Sequence, residues 1–173
     1  MAVSLLPKQR PATPAEATAL ASDVRLRIIR LTQGRPMTNK EIAGALGKDP
    51  ATTLHHVRKL VDTGFLVEQA PRRGTRGSRE KPYLGTRLSA ALSFGDGDER
   101  RAVNEAALGA FLGEVADVGV GDAGLTRIVF QLPKERTEEM LSRLEAVLAE
   151  YIDLPYDPAA ERTAIFLASY RST

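Results

Sequence analysis

The sequence contains no cysteine and no tryptophan, and only two of its 173 residues are histidine. Without cysteine the chain can form neither a disulfide nor a thiolate metal site, which fits a reducing compartment such as the cytoplasm. No apolar run approaches the roughly 20 residues that a membrane-spanning helix requires. These absences predict a cytoplasmic globular protein with no metal centre, no cofactor and no membrane segment.

Neither sign of charge dominates the chain. The 24 Lys and Arg residues stand against 22 Asp and Glu residues, so the formal net charge is only +2. A protein that attracted nucleic acid through its overall charge would be far more basic. Any attraction to DNA must therefore come from local clusters of basic residues. The length allows one domain or two small ones.

The middle of the chain carries the start and stop signals of two short helices. Thr38 and Glu41 form a capping box, in which each side chain bonds the other residue's backbone amide. Gly47 suits the left-handed turn that closes the first helix. Asp49 is a good N-cap for the second helix, and Pro50 suits its first position. Two short helices joined by a tight turn indicate a helix-turn-helix.

A basic turn follows these helices, between β-prone runs at 65–67 and 81–84. From Arg72 to Lys81 the turn holds five basic side chains and one acidic one. The order of helix, strand, charged loop and strand is that of a winged helix. The sequence therefore predicts a winged helix-turn-helix.

Four pieces of this region resemble the DNA-binding domain of ArsR-type bacterial transcription regulators. They lie at 22–29, 41–43, 52–60 and 64–67. The resemblance covers roughly residues 13–86, about half of the chain. It implies a winged helix-turn-helix fold and a role in transcription regulation. Metal-sensing members of the family use cysteine, histidine and carboxylate ligands, so the missing cysteines imply a member that does not sense metal.

The carboxyl-terminal half predicts a second, α+β part that begins at two glycines and two acidic residues, 95–98. A helix rich in small residues is expected first, packed closely on another helix and across a dimer axis. A strand, an amphipathic helix and a second strand should follow. The expected order is a helix at 98–118, a strand at 126–132, a helix at 135–152 and a strand at 163–170. Four aromatic residues there form either plain core or the lining of a pocket for a small apolar effector: Phe130, Tyr151, Phe166 and Tyr170.

The predicted fold class is thus mainly α with small β, or α+β. A flexible arm at 1–12 precedes a winged helix-turn-helix domain at 13–94. Residues 95–173 form a helical dimerisation segment and a β-α-β part, with a candidate effector site.

The predicted DNA contacts come from three elements. The second helix of a helix-turn-helix meets base edges in the major groove through its amino-terminal part. Wing arginines suit phosphate or the minor groove, and a helix amino terminus favours a phosphate. The candidates on the second helix are Ala51, Thr52, Thr53, His55 and His56, with Arg58 and Lys59 further along. The wing candidates are Arg72, Arg73, Arg76 and Arg79, and those at the first helix are Thr38, Asn39 and Lys40. The resemblance implies that His56 also packs partly against the neighbouring helix, which leaves His55 as the stronger contact.

The sequence gives little support for metal binding, dinucleotide binding or catalysis. His55 and His56 cannot chelate one ion together, because adjacent helical residues point about 100° apart. The glycines at 119–124 fit the dinucleotide-binding spacing, but they follow a helix and precede a strand, the reverse of that motif. No enzymatic activity is predicted.

The sequence therefore predicts a homodimeric, sequence-specific transcription regulator that binds double-stranded DNA. Occupying a promoter would most simply repress, and activation stays open. Two other functions stay open. One is a winged-helix protein-interaction module whose wing arginines meet an acidic protein, and the other is a non-specific architectural DNA binder.

Overall fold

The computed structural model describes residues 9–74, 77, 79–152, 154, 157 and 159–170. Within them the chain forms six α-helices and seven short strands, which confirms the predicted α+β class. The helices are α1 (Pro14–Leu20), α2 (Asp23–Thr32), α3 (Asn39–Leu46), α4 (Pro50–Asp62), α5 (Asp98–Val118) and α6 (Lys134–Ile152). The strands are β1 (Arg10–Pro11), β2 (Met37–Thr38), β3 (Leu66–Glu68), β4 (Arg72–Arg73), β5 (Arg79–Glu80), β6 (Pro82–Gly85) and β7 (Leu92–Ser93).

The wing forms where the sequence predicted it. Strands β2, β6 and β3 make an antiparallel sheet in that order, with Met37 opposite Tyr83 and Val67 opposite Leu84. Strands β4 and β5 pair beyond this sheet as the outer part of the hairpin. Arg76, one of the predicted wing contacts, lies outside the described residues. Helices α3 and α4 followed by this hairpin have the winged helix-turn-helix arrangement.

Local signals set the helix ends. The Thr38 hydroxyl accepts a hydrogen bond from the Glu41 amide at 3.2 Å, and the Thr38 amide donates to Glu41 Oε2 at 2.7 Å. Gly47 ends α3 with a φ of 61°, in the left-handed region. The Asp49 carboxylate accepts from two amides in the first turn of α4. Both predicted helix starts and the turn between them are confirmed.

The core lies between the first four helices and the sheet. Phe65 follows the end of α4, and its amide donates to the Leu60 carbonyl at 2.9 Å, which turns the chain back into the core. The largest fully buried apolar side chains are Phe65, Leu20, Ile28, Ile42, Leu60 and Val57. This core fixes the orientation of α4 relative to the wing.

Within the arm that was predicted to be flexible, residues 10 and 11 form strand β1. Strand β1 pairs in parallel with β7, so that Arg10 lies opposite Leu92. The Arg10 guanidinium donates to both oxygens of Glu16, at 2.5 and 2.9 Å. Glu16 also closes the capping box of α1 with Thr13. A two-residue strand paired with a segment 82 positions away (Arg10 to Leu92) has no local signal in the sequence.

Helix α5 packs on α1 and α2 of its own subunit. Arg30 Nη1 donates to Glu114 at 2.5 Å, and Arg27 forms an ion pair with Asp117. A Cβ placed on Gly113 would lie 3.2 Å from the Arg27 guanidinium, so the small residue accommodates this side chain. The small-residue face is therefore used within the subunit, and packing of α5 across a dimer axis stays a prediction.

The carboxyl-terminal part differs from the β-α-β prediction. Helix α6 forms, but residues 126–132 and 163–170 form no strand and make no backbone hydrogen bond to any described residue. A strand needs a neighbouring backbone to satisfy its amides and carbonyls, and among the described residues no backbone pairs with these segments. The prediction of two terminal strands within the subunit is wrong.

The last described segment instead contacts α2 and α5 through its side chains. Arg162 donates to the carbonyls of Arg30 and Leu31 at the end of α2, at 2.5 and 3.1 Å. The Phe166 ring stacks on Phe111 of α5, with the ring centroids 4.6 Å apart. The other three aromatic residues of the predicted effector pocket are more than half exposed, so the four do not enclose a shared cavity.

Candidate nucleic-acid interface

Helix α4 presents one exposed stripe near its amino end. Ala51, His55 and Arg58 are exposed and lie three or four residues apart, which puts them on one face of the helix. Thr52 is exposed beside them. A hydroxyl, an imidazole, a guanidinium and an alanine methyl group are all suited to contacts with base edges. This stripe is the part of the predicted reading helix that can reach a groove.

Thr53 does not belong to that stripe, and its prediction as a base contact is wrong. Its side chain is fully buried, with 0% exposure, and its hydroxyl donates to the Asp49 carbonyl at 2.9 Å. Thr53 shares the inward face with Val57 and Leu60, which follow at spacings of four and three. Because Thr53 lies on the buried face of α4, its side chain cannot reach a base.

His56 lies between the two faces and is half-buried. Burial lowers the pKa of His56 below its usual range, and the nearby Arg25 cation lowers it further. The imidazole is therefore neutral at pH 7 and adds no positive charge to the surface. Lys59 is half-buried, whereas Lys48 in the turn between α3 and α4 is exposed. The sequence reasoning had not included Lys48.

The three candidates at the amino end of α3 have different roles. Thr38 is only 5% exposed, and both its hydroxyl and its amide donate to Glu41, so Thr38 has no donor left for a phosphate and is removed as a direct contact. The Asn39 side-chain amide donates to the Pro50 carbonyl at 2.8 Å and so ties α3 to the start of α4. Lys40 is the exposed cation of the three.

The wing is joined to α3 by an ion pair. One guanidinium nitrogen of Arg72 lies 2.6 and 2.7 Å from the two carboxylate oxygens of Glu41. Burial would raise the pKa of Glu41, but hydrogen bonds from Thr38 and the Arg72 cation together hold it below its ordinary value. Glu41 is thus ionised, and it determines where Arg72 lies. Sequence reasoning did not assign it this role.

Arg73 and Arg79 face each other across the wing hairpin, and both are exposed. Cations placed directly opposite one another on a sheet destabilise it. Nearer the base of the wing, a shallow depression of about 290 Å³ lies between α3 and the hairpin. Its lining consists of Thr38, Asn39, Lys40, Glu80, Lys81 and Tyr83. Lys81 was not among the predicted contacts, and it is paired with Glu68 at 2.8 Å.

Residues 20–69 match a protein-family model described as a helix-turn-helix domain. The matched residues run from the end of α1 to just past β3 and make up less than a third of the chain. No curated protein matches the chain. The chain thus carries a helix-turn-helix domain, the kind of domain found in DNA-binding regulators. In the part of the chain that the structure describes, no helix is both long and apolar enough to span a bilayer.

Proposed function

We propose that this protein is a dimeric, sequence-specific transcription regulator of the ArsR-like winged-helix type that acts in the cytoplasm as a repressor. One observation carries the proposal. The start of α4, the amino end of α3 and the wing are joined by direct side-chain contacts. Sequence-specific binding uses a helix that contacts base edges and flanking residues that contact phosphates and so position the helix.

Two side-chain contacts hold these elements together. The Asn39 bond to Pro50 places Lys40 beside the start of the reading helix. The Glu41–Arg72 ion pair places the base of the wing beside the same end of α3. Lys40 and Arg73 can therefore contact the backbone on either side of a groove that α4 enters.

The charge distribution supports DNA as the partner of this face. Residues 38–81 hold nine basic and five acidic side chains, whereas residues 120–170 hold five basic and nine acidic ones. The opposed Arg73 and Arg79 are a repulsive pair in the free protein. A polyanion between or beside them relieves that repulsion, so the wing gains stability when it binds a phosphate backbone.

A dimer explains how so small a surface reaches useful specificity. Each copy contributes one α4, and a two-fold axis sets two such helices on half-sites about one helical turn apart. Occupying such a site within a promoter blocks access to it, which is the simplest route to repression.

The test is fluorescence anisotropy with mixed-sequence duplex DNA at several salt concentrations. We expect Arg73→Ala/Arg79→Ala to make the negative slope of log K against log salt shallower by about 1.8. Each phosphate that the protein no longer neutralises accounts for about 0.9. The matched control is Arg35→Ala/Arg101→Ala, which removes two exposed arginines outside α4, the wing and residues 124–170 and should leave the slope unchanged. Absence of binding at low salt would contradict the proposal and favour the protein-interaction module.

A further inference from the structure

Most of the exposed apolar side chains lie in one region of the protein. Among the described residues, 15 of the 19 large hydrophobic residues that are exposed fall within 120–170. Helix α6 has an apolar stripe, yet it contains no buried residue. Such a concentration of exposed apolar side chains is typical of a region that binds another molecule.

The exposed area is large enough for a stable protein interface. Phe130, Tyr151 and Tyr170 are 55%, 66% and 76% exposed. At about 150–250 Å² for each aromatic side chain, these three alone expose roughly 400 Å², or about half of the ~800 Å² that each partner buries in a standard interface. The aliphatic residues around them can supply the remainder.

Two segments of this region also have an unpaired backbone. Residues 126–132 are β-prone and place Ile128, Phe130 and Leu132 on one face. Residues 163–170 are β-prone and apolar on both faces. Neither segment has a backbone hydrogen bond to a described residue. The side chains of Phe166 and of the preceding Arg162 contact α5 and α2 of the same subunit. These contacts leave the backbone groups of the second segment available for pairing.

The charges of the region argue against two kinds of partner. Nine acidic residues against five basic ones disfavour both DNA and an anionic membrane surface. Helix α6 carries both signs, as its Lys134–Glu138 and Arg136–Glu139 pairs show. A surface with both signs around an apolar stripe is compatible with a copy of itself, and soluble oligomers are most often symmetric dimers with self-complementary interfaces.

We infer that residues 124–170 form the interface with a second copy of this chain. Residues 126–132 of one copy pair with residues 163–170 of the other, two-fold symmetry repeats the pairing, and the apolar stripe of α6 covers the paired segments. The inference rests on the dimer of the proposed function and specifies its surface. The rival surface is the exposed part of α5, at Leu108 and Leu112.

The first test is the molar mass of the full chain in solution, measured by light scattering and sedimentation. Ile128 and Ile165 are 64% and 62% exposed, so Ile128→Glu/Ile165→Glu should fold normally as a subunit. We expect the dimer dissociation constant to rise at least about a hundredfold, because each glutamate would be buried without a partner. Leu112→Glu, at a position 58% exposed on α5, is the matched control and should remain dimeric. A dimer that survives the double substitution, or that is lost on Leu112→Glu, would overturn the inference.

The second test uses the absence of cysteine from the chain. One tagged copy carries Ile128→Cys and a second, differently tagged copy carries Ile165→Cys, and the mixed dimers are treated with a short bis-maleimide. We expect a cross-linked species that holds both tags. A wild-type dimer with no such cross-link would refute this interface and leave the proposed dimer intact. A monomeric wild type would refute both, and the DNA-binding assay above would still test the regulator independently.

Discussion

Replacing Glu41 with glutamine separates two roles of this side chain at the amino end of α3. The carboxylate closes the capping box with Thr38, and it also holds the wing arginine Arg72. Glutamine can still close a capping box, because its carbonyl oxygen accepts the same amide hydrogen bond. It removes the negative charge from the face that we assign to DNA and releases Arg72.

The two effects have different magnitudes. Arg72 and Glu41 are 44% and 40% exposed at their side chains, and ion pairs in such positions contribute about 0–1 kcal/mol to stability. The free energy of unfolding should therefore fall by less than about 1 kcal/mol for Glu41→Gln. A released Arg72 that contacts one more phosphate should steepen the salt slope by about 0.9. The affinity advantage over the wild type should therefore grow about 3.5-fold as the salt falls from about 200 to about 50 mM.

The assay is anisotropy with a fixed duplex at these salt concentrations, combined with urea unfolding. The matched control is Glu16→Gln, which changes the equivalent residue of the other capping box, where the arginine partner lies in β1 and not in the wing. We expect no change in slope for the control. An unchanged salt slope for Glu41→Gln would show that Arg72 and Glu41 do not lie at the DNA interface.

Three further changes test the fold and the reading helix. Hydrogen bonds from its arginine partner lower the pKa of Glu16 to about 2, so its stabilisation is complete above about pH 4.5 and is lost as the pH falls through 2. In urea titrations, Glu16→Gln should thus cost about 1–3 kcal/mol at pH 6 and little at pH 2; an equal cost at both would contradict the ionised pair. Thr52→Val should alter the bases preferred in a binding selection, whereas Thr53→Val should leave them unchanged, since Thr53 is buried. The reverse result would show that the exposed stripe of α4 is not the face that enters the groove. Gly85→Ala should lower the unfolding free energy by about 1 kcal/mol or more, because its Cβ would lie 3.3 Å from the Ile29 carbonyl oxygen; an unchanged urea midpoint would show that α2 can move aside.

The features that were predictable from the sequence depend on nearby residues. The Thr38 and Glu41 capping box, the Gly47 turn and the Asp49 N-cap involve positions two to four residues apart, and each forms as expected. These local signals were sufficient to predict where α3 and α4 begin and end, and so to predict the helix-turn-helix. The face of α4 that enters the groove was partly recoverable, since the spacing of Thr53 with the apolar positions already places it inward.

The features that were missed depend on residues far apart in the chain. Glu41 and Arg72 are 31 positions apart, and Arg162 bonds the Arg30 carbonyl across 132 positions. Charge patterning alone does not select one partner among several exposed ions. The two carboxyl-terminal strands were predicted wrongly for another reason. A β-prone segment forms a strand only where a second backbone is available to pair with it.

The central claim is that the exposed stripe of α4 reads duplex DNA as part of a dimer. The most direct test is selection of bound duplexes from a random library, with wild type compared with Thr52→Ala/His55→Ala. We expect the wild type to recover an inverted repeat with half-sites about 10 base pairs apart. The variant should lose discrimination at particular positions, by about tenfold or more at each, and keep the salt dependence. Recovery of no preferred sequence, or of the same sequence by both proteins, would contradict the claim.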